Sequence, residues 1–339
     1  MSIRATKTFA KFAIAGAIAG SLMTATANAQ KMKTLVVAEP VHSTGYLPLY
    51  VAIHNGYFKE ANLDIKIYTS EGGGAHTNAV LTKQAFAFIG GPEHNAFAKI
   101  KGAELRAVVN VVDRGNVYLV AKKGMGPKSG ESLSAYFKGK NVATGFFGGT
   151  PNSITRYLLA TWKLDAKKDV VLQEMSNGAI LAAVRTGAAT IGVTSEPILT
   201  RGVKAGIWEE PFFNVPKELG PYAYSTLNIR LESMKSDPKM VQDFVRAVIR
   251  GLKFTYAEPA KAVAVAKKEF PTMSPEDLKA TLDRSFADSL WSKDGMISPE
   301  SWKTGGSVVR TANILKKDVA YDEIIDMQFV KTALSMLKQ

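Results

Sequence analysis

VHSTGYLPLYVAIHNGYFKEANLDIKI, residues Val41 to Ile67, reads as a turn, a helix and a strand in that order. Ser43-Thr44-Gly45 is turn chemistry, Leu47 to Asn55 has the apolar pattern of a helix that Gly56 stops, and Leu63, Ile65 and Ile67 alternate with Asp64 and Lys66 as a half-buried strand. Just upstream, Leu35 to Ala38 is a short run of the buried-strand type. The same alternation continues downstream. Gly72-Gly73-Gly74 leads into a helix near Ala75 to Thr82, a strand follows at Phe86 to Ile89, Gly90-Gly91-Pro92 turns into a helix near Glu93 to Ile100, and Leu105 to Val112 is again a strand. Strand and helix in strict alternation predict a doubly wound α/β unit.

A second unit follows. Val117 to Ala121 is a strand, Lys122 to Gly130 reads as a connector rich in Gly, Lys, Pro and Ser, and further strands are predicted near Asn141 to Thr144, Val170 to Met175 and Ile191 to Thr194. Its helices fall near Ile154 to Trp162, Ala179 to Thr186 and Pro197 to Ala205. After a strand at Ala223 to Leu231 the pattern is almost wholly helical. Asp237-Pro238, Ser274-Pro275 and Ser298-Pro299 each set a capping side chain before a first-turn proline. The order implies two lobes, 30–116 with 223–339 and 117–222, with the C-terminal helices packed on the first. Two crossings, near Asp113 to Asn116 and Leu219 to Tyr222, would then form a two-strand hinge.

Residues 1–29 have the form of an export leader. Arg4, Lys7 and Lys11 precede an apolar run from Phe12 to Met23, and Ala27-Asn28-Ala29 offers a small-x-small cleavage site, so the mature chain is expected to start at Gln30. The run is shorter than the roughly 18 to 20 apolar residues that span a bilayer. With no cysteine after the cleavage pattern, lipid anchoring is excluded, and a free periplasmic protein is expected. The chain has no cysteine at all, which removes disulfides, thiolate metal sites and thiol nucleophiles. Three of the thirteen net positive charges lie in the leader, and the rest are spread without a dense basic block or an aromatic-interleaved RNA-binding motif. Nucleic acid is therefore not an expected partner.

No Gly-x-Ser-x-Gly elbow, His-Glu-x-x-His helix, phosphate loop or Gly-x-Gly-x-x-Gly fingerprint occurs. Glycine-rich turns are the main signal. They precede the first three helices, and Gly148-Gly149-Thr150-Pro151 opens the long helix of the second unit. Glycine lets a ligand approach the main chain, and free amides at a helix start attract polar acceptors. His42, His76 and His94 follow successive strands, where an open α/β sheet presents its crevice. They read as ligand hydrogen-bonding groups or plain loop residues, with a metal site involving Glu71 or Glu93 as the rarer reading. Tyr46, Phe146, Tyr222 and Tyr224 flank the turns, while Phe147 is assigned to the core. Glu196, at a strand end, either caps a helix or receives a ligand donor.

The opening segment resembles the nitrate/sulfonate/taurine and thiamine-pyrimidine-precursor binding proteins, in which a ligand loop precedes P-x-Y-x-A and G-Y-F-x-x-x-G-L-D. The likeness continues through FIGGPEHNAFAKIKGAELRAV (88–108), YFKGKNVATGFFGGTPNSITRYLLA (136–160) and AAVRTGAATIGVTSEP (182–197). It implies a type II periplasmic binding fold and capture of a small organic anion or heteroaromatic compound for an ABC permease and its ATPase, by a monomer without cofactor or catalysis. Carried over by position, the contacts are Ser43, Thr44, Gly45, Tyr46, Gly74, His76, Gly91, Glu93, Gly149, Thr150, Glu196 and Tyr224, to which the turn-flanking Phe146 is added. Two departures stand out: Gly91-Pro92-Glu93-His94 replaces small polar residues, and Asn62 stands where the family has glycine. The competing readings are a ligand sensor for a membrane receptor and an exported enzyme of the thiamine-precursor type. The enzyme reading requires a perturbed acid-base pair in the cleft. It also lacks the cysteine-rich motif of such enzymes. The leader is tested directly: the intact mass of protein from the periplasmic fraction should correspond to a chain starting at Gln30, and a full-length chain held at the membrane would reverse the reading.

Overall fold

The computed structural model describes residues 32–337, so the export leader lies outside the described residues. Ten strands form two five-stranded sheets. The first contains β1 (Lys33–Glu39), β2 (Leu63–Thr69), β3 (Ala87–Gly90), β4 (Leu105–Arg114) and β10 (Pro221–Arg230), in the order β2-β1-β3-β10-β4. The second contains β5 (Tyr118–Ala121), β6 (Asn141–Thr144), β7 (Val171–Glu174), β8 (Ile191–Thr194) and β9 (Phe213–Asn214), in the order β7-β6-β8-β5-β9.

The two sheets repeat one plan. β1 runs parallel to β2 and β3, and β6 runs parallel to β7 and β8. The reversed strands are β10, antiparallel to β3 and β4, and β5, antiparallel to β8 and β9. Each reversed strand is the first that the chain builds after crossing from the other sheet. The expected doubly wound α/β architecture is therefore present in both halves, with mixed sheets in which the crossing strand is inserted one place in from the edge.

Helices connect the parallel strands: α1 (Leu47–His54), α2 (Ala75–Leu81) and α3 (Glu93–Lys99) in the first half, and α5 (Thr150–Thr161), α6 (Asn177–Thr186) and α7 (Ile198–Lys204) in the second. Two short helices were not visible in the sequence pattern. Ser132 caps α4 (Leu133–Phe137) and Asn214 caps α8 (Val215–Leu219), each by accepting a main-chain N–H, and β9 is only two residues long. Asn62, which stands in the family's glycine position, adopts φ 57°, the left-handed conformation that asparagine tolerates better than other side chains.

The chain then forms α9 (Leu231–Ser236), α10 (Pro238–Ala257), α11 (Pro259–Glu269), α12 (Pro275–Ala287), α13 (Pro299–Thr311) and α14 (Gln328–Met336). Asp237, Ser274 and Ser298 cap α10, α12 and α13, each by accepting an amide three residues on. As expected, α10 packs on α1 and β4, and α14 on α10 and β4. However, α12 also packs on α7 and α13 on α5, so this helical layer touches both halves. Nor are the two cores separate, because one apolar cluster contains residues of both sheets. At the first crossing, Val215, Tyr222 and Ile154 crowd around Gly115, where an added Cβ would lie 2.7 Å from Val215. No described helix is long and apolar enough to cross a membrane.

The α1–α10 contact depends on Gly251. A Cβ there would lie 2.2 Å from the Pro48 carbonyl oxygen and 3.0 Å from the Ala52 Cβ, neither of which can swing away. Gly251→Ala should therefore destabilise the protein by about 1–3 kcal/mol through overpacking. Alanine's better helix propensity, worth about 1 kcal/mol, acts in the opposite direction. Urea denaturation measures the difference, and an unchanged or raised midpoint would show that the helices are free to separate.

Candidate functional site

The loops after the parallel strands of both sheets converge on a cavity of about 370 Å³. Ser43 and Tyr46 reach it from the turn after β1, His76 from the start of α2, and Phe146, Gly149 and Thr150 from the turn between β6 and α5. Tyr224 reaches it from β10. Seven of the thirteen residues expected at a ligand thus line one space.

The other six do not, and five of them have a packing reason, Gly74 being exposed with open space around it. Thr44 is buried in a 3₁₀ turn. Gly45 is covered by Asn116, whose Nδ2 would lie 2.5 Å from an added Cβ, and its carbonyl accepts Trp291 Nε1–H at 2.8 Å. Gly74 precedes α2 off the wall, while its neighbours Gly72 and Gly73 line it. Gly91 is covered by the Glu93 carboxyl. Glu93 itself is fully buried behind the wall, where Oε1 accepts Thr150 Oγ1–H at 2.6 Å. Glu196 resolves its two readings as a cap: it accepts the Thr200 N–H at 3.1 Å and hydroxyl at 2.8 Å, and Arg284 Nε–H at 2.9 Å. Phe147, assigned to the core, is instead exposed with the Arg156 guanidinium 5.2 Å above its ring. Tyr222 packs in the shared core.

Several wall residues were not selected from the sequence. Asn177, which starts α6, donates to Ser195 Oγ at 3.0 Å and accepts from Thr194 Oγ1 at 2.8 Å. Ser176-Asn177-Gly178 follows β7 as the selected turns follow their strands, so the same rule would have found it. Phe270 and Thr272, between α11 and α12, carry no such signal, because tertiary packing alone brings them here.

Direct contacts close the gap between the halves. Besides the Glu93–Thr150 bond, Ser43 Oγ donates to the Glu196 carbonyl at 3.2 Å, and Gly73 lies so close to Phe147 that a Cβ would come within 1.9 Å of its carbonyl oxygen. Burial determines the protonation of this region. It raises the Glu93 carboxyl to about 7, with the Thr150 bond acting against it. It also lowers the His94 imidazole to about 4 and His76 well below its usual value, His94 adding to the second shift. These shifts come chiefly from desolvation, and His76 has no hydrogen-bond partner on either ring nitrogen. His42, also on the wall, is hydrogen-bonded at 2.9 Å to the buried Glu39 carboxylate, which raises its imidazole above the usual value. Among the described residues, no three His, Cys, Asp or Glu side chains gather in a geometry that would hold a metal ion.

The raised Glu93 pKa has a definite sign. The folded chain holds a proton that the unfolded chain releases near pH 4.5, so stability falls as pH rises from about 4.5 to 7 and levels off above that. The lowered histidines act oppositely, costing stability below their usual value of 6.5. Glu93→Gln keeps an acceptor for Thr150 and leaves the histidines unchanged. Relative to this variant, wild type should lose up to about 3 kcal/mol between pH 5 and 8. Parallel pH–stability curves would mean that Glu93 is solvated.

A family model described as NMT1/THI5 like matches residues 43–262. YtlA of Bacillus subtilis (strain 168), provisionally named a binding protein, is 25% identical over 332 residues, covering 96% of this chain and 97% of that one. The alkanesulfonate-binding protein SsuA from Xanthomonas axonopodis pv. citri, solved with MOPS, superposes with a TM-score of 0.70 at 16% identity, covering 87% of this chain and 98% of that one. The desulfurization enzyme DSZB has the same fold, with a TM-score of 0.62 at 13% identity over 90% of this chain and 99% of its own.

Proposed function

This chain belongs to the NMT1/THI5-like family, and on that premise we propose that it is the ligand-capturing component of an ABC importer, working in the periplasm with a permease and its ATPase. The family's type II periplasmic binding fold supports the reading. One observation carries it: the cavity wall is assembled from strand-end loops of both sheets, and cross-gap hydrogen bonds from Thr150 to Glu93 and from Ser43 to the Glu196 carbonyl close it. A ligand held between two halves favours the closed arrangement by its contacts with both, and the closed form is what a permease can recognise. The halves proposed to move are 30–116 with 223–339 and 117–222, turning about residues 115–117 and 220–221. Gly220, at φ 62° and ψ −141°, has a backbone conformation that side chains disfavour. The ligand is proposed to be a small organic compound with polar groups at its ends and an apolar body, lying among Tyr46, Phe146 and Tyr224.

Since the chain has no cysteine, two can be introduced for labelling without background. Lys83→Cys and Lys168→Cys place exposed dyes on opposite halves. The small-molecule extract released by denaturing protein purified from its own host is the probe. Native mass spectrometry should show one retained compound per chain, and the extract should raise energy transfer in stripped protein while emerging chemically unchanged. A chain that retains nothing and does not respond to the extract, or that converts its contents, overturns the reading.

A further inference from the structure

The end of the second sheet that points away from the cavity is strongly basic. β6, β7 and β8 run parallel with their C-terminal ends at the cavity, and β5 runs antiparallel to β8. The loops before β6, β7 and β8 and the loop after β5 therefore share the far end. Main-chain hydrogen bonds tie them together: the Lys122 N–H donates to the Thr190 carbonyl at 2.9 Å, Gly139 to Asp169 at 2.7 Å, Val171 to Lys140 at 2.9 Å and Thr190 to Asn141 at 3.0 Å. Segments 122–131, 138–140, 163–169 and 185–190 carry nine Lys and Arg side chains against three acidic ones, Glu131, Asp165 and Asp169. The neighbouring segment 204–209 adds one charge of each sign and leaves the excess unchanged.

Two observations separate this end from an ordinary solvated face. Its cations lack partners: among the described residues, Lys168 is the one of the nine with an ion pair, to Asp165 at 3.9 Å. The three carboxylates are turned to main-chain amides instead, Glu131 accepting from Lys128 at 2.9 Å, Asp169 from Asp165 at 2.7 Å and Asp165 from Lys167 at 2.8 Å. The second observation is an apolar side chain set among the charges, in Lys123-Gly124-Met125-Gly126-Pro127-Lys128. Met125 is 46% exposed, and its carbonyl accepts the Tyr136 hydroxyl at 2.6 Å, which fixes the tip of this loop in its outward position.

Unpaired lysines around an exposed apolar tip suit a surface that is anionic outside and apolar beneath. Anionic headgroups attract each lysine that comes near them, and an apolar side chain at the centre of the patch enters the headgroup layer. Single-stranded nucleic acid would instead call for exposed aromatic rings on which bases stack, whereas Tyr136 and Phe137 at this end are buried. We propose that the far end of the second half rests on anionic phospholipid headgroups, with Met125 at headgroup level. The contact lies at the opposite end of the strands from the cavity, so it stands apart from the reading of the cavity as a ligand site. It would keep the protein beside the bilayer without occupying the gap between the halves.

Co-sedimentation of the mature protein with vesicles tests this. At about 0.02 M salt it should partition onto vesicles of equal parts phosphatidylglycerol and phosphatidylcholine but not onto phosphatidylcholine alone, and about 0.15 M salt should weaken the binding. Lys128→Gln, Lys138→Gln and Lys167→Gln together remove three exposed charges. With each lysine near an anionic surface worth roughly fivefold, this triple variant should lose about a hundredfold in partitioning. Lys235→Gln, Lys303→Gln and Lys317→Gln, exposed on the first half, change the net charge equally and should cost less than about threefold. Met125→Ser should reduce partitioning while leaving its salt dependence unchanged. Melting temperatures should stay level throughout, since every altered side chain is exposed. Equal binding to both kinds of vesicle, or equal losses in the two triple variants, would overturn the proposal. So would a DNA duplex that outcompetes the vesicles at equal phosphate concentration, which would make nucleic acid the partner of this face.

Discussion

Each sheet is completed by a strand that has just crossed from the other, and this exchange governs the whole arrangement. β5 enters the second sheet directly after β4 leaves the first, and β10 returns just after α8. Both run against their neighbours. The parallel strands on either side consequently end toward the same gap, and the turns that follow them line one cavity. Those turns carry glycines where main chain approaches main chain, most closely at Gly73 against Phe147.

Several charged groups around the gap are fully partnered within the protein. Glu196 is locked by Thr200 and Arg284, and Arg284 also reaches Glu210, forming a charged network from α12 onto the second half. The Asp288 carboxylate likewise accepts the Tyr118 hydroxyl at 2.7 Å and the Asn214 amide at 3.1 Å. These groups are occupied and serve the frame. The orphaned atoms of His76 lie on the cavity wall, and the half-satisfied Glu93 lies just behind it.

Local chemistry made much of this legible in the sequence. Proline after a capping residue marks α10, α12 and α13 because both residue types act within one turn, and Asn62 fits its turn through its own tolerance of positive φ. Strand-end turns pointed to Ser43, His76 and Thr150 on the same grounds. Whether such a residue faces the cavity or the frame is decided elsewhere. Gly45 is turned from the ligand by Trp291, 246 positions away, and Glu196 by Arg284, 88 positions on. Phe270 joins the wall from a loop whose sequence signals only a helix end. The reversed strands were equally hidden, since strand direction depends on where the chain re-enters a sheet and leaves no periodic trace.

At the cavity wall itself few hydrogen bonds cross the gap, while α12 and α13 add charged and packed contacts further out. The Glu93–Thr150 and Ser43–Glu196 bonds are each worth about 0.5–1.5 kcal/mol net. Set against them is burial of the Glu93 carboxyl, whose preference for the protonated form near neutrality shows that its desolvation is only partly offset. At the wall these opposing contributions are of similar size. On the binding-protein proposal, each 1.4 kcal/mol by which a ligand prefers one arrangement of the halves changes their populations tenfold.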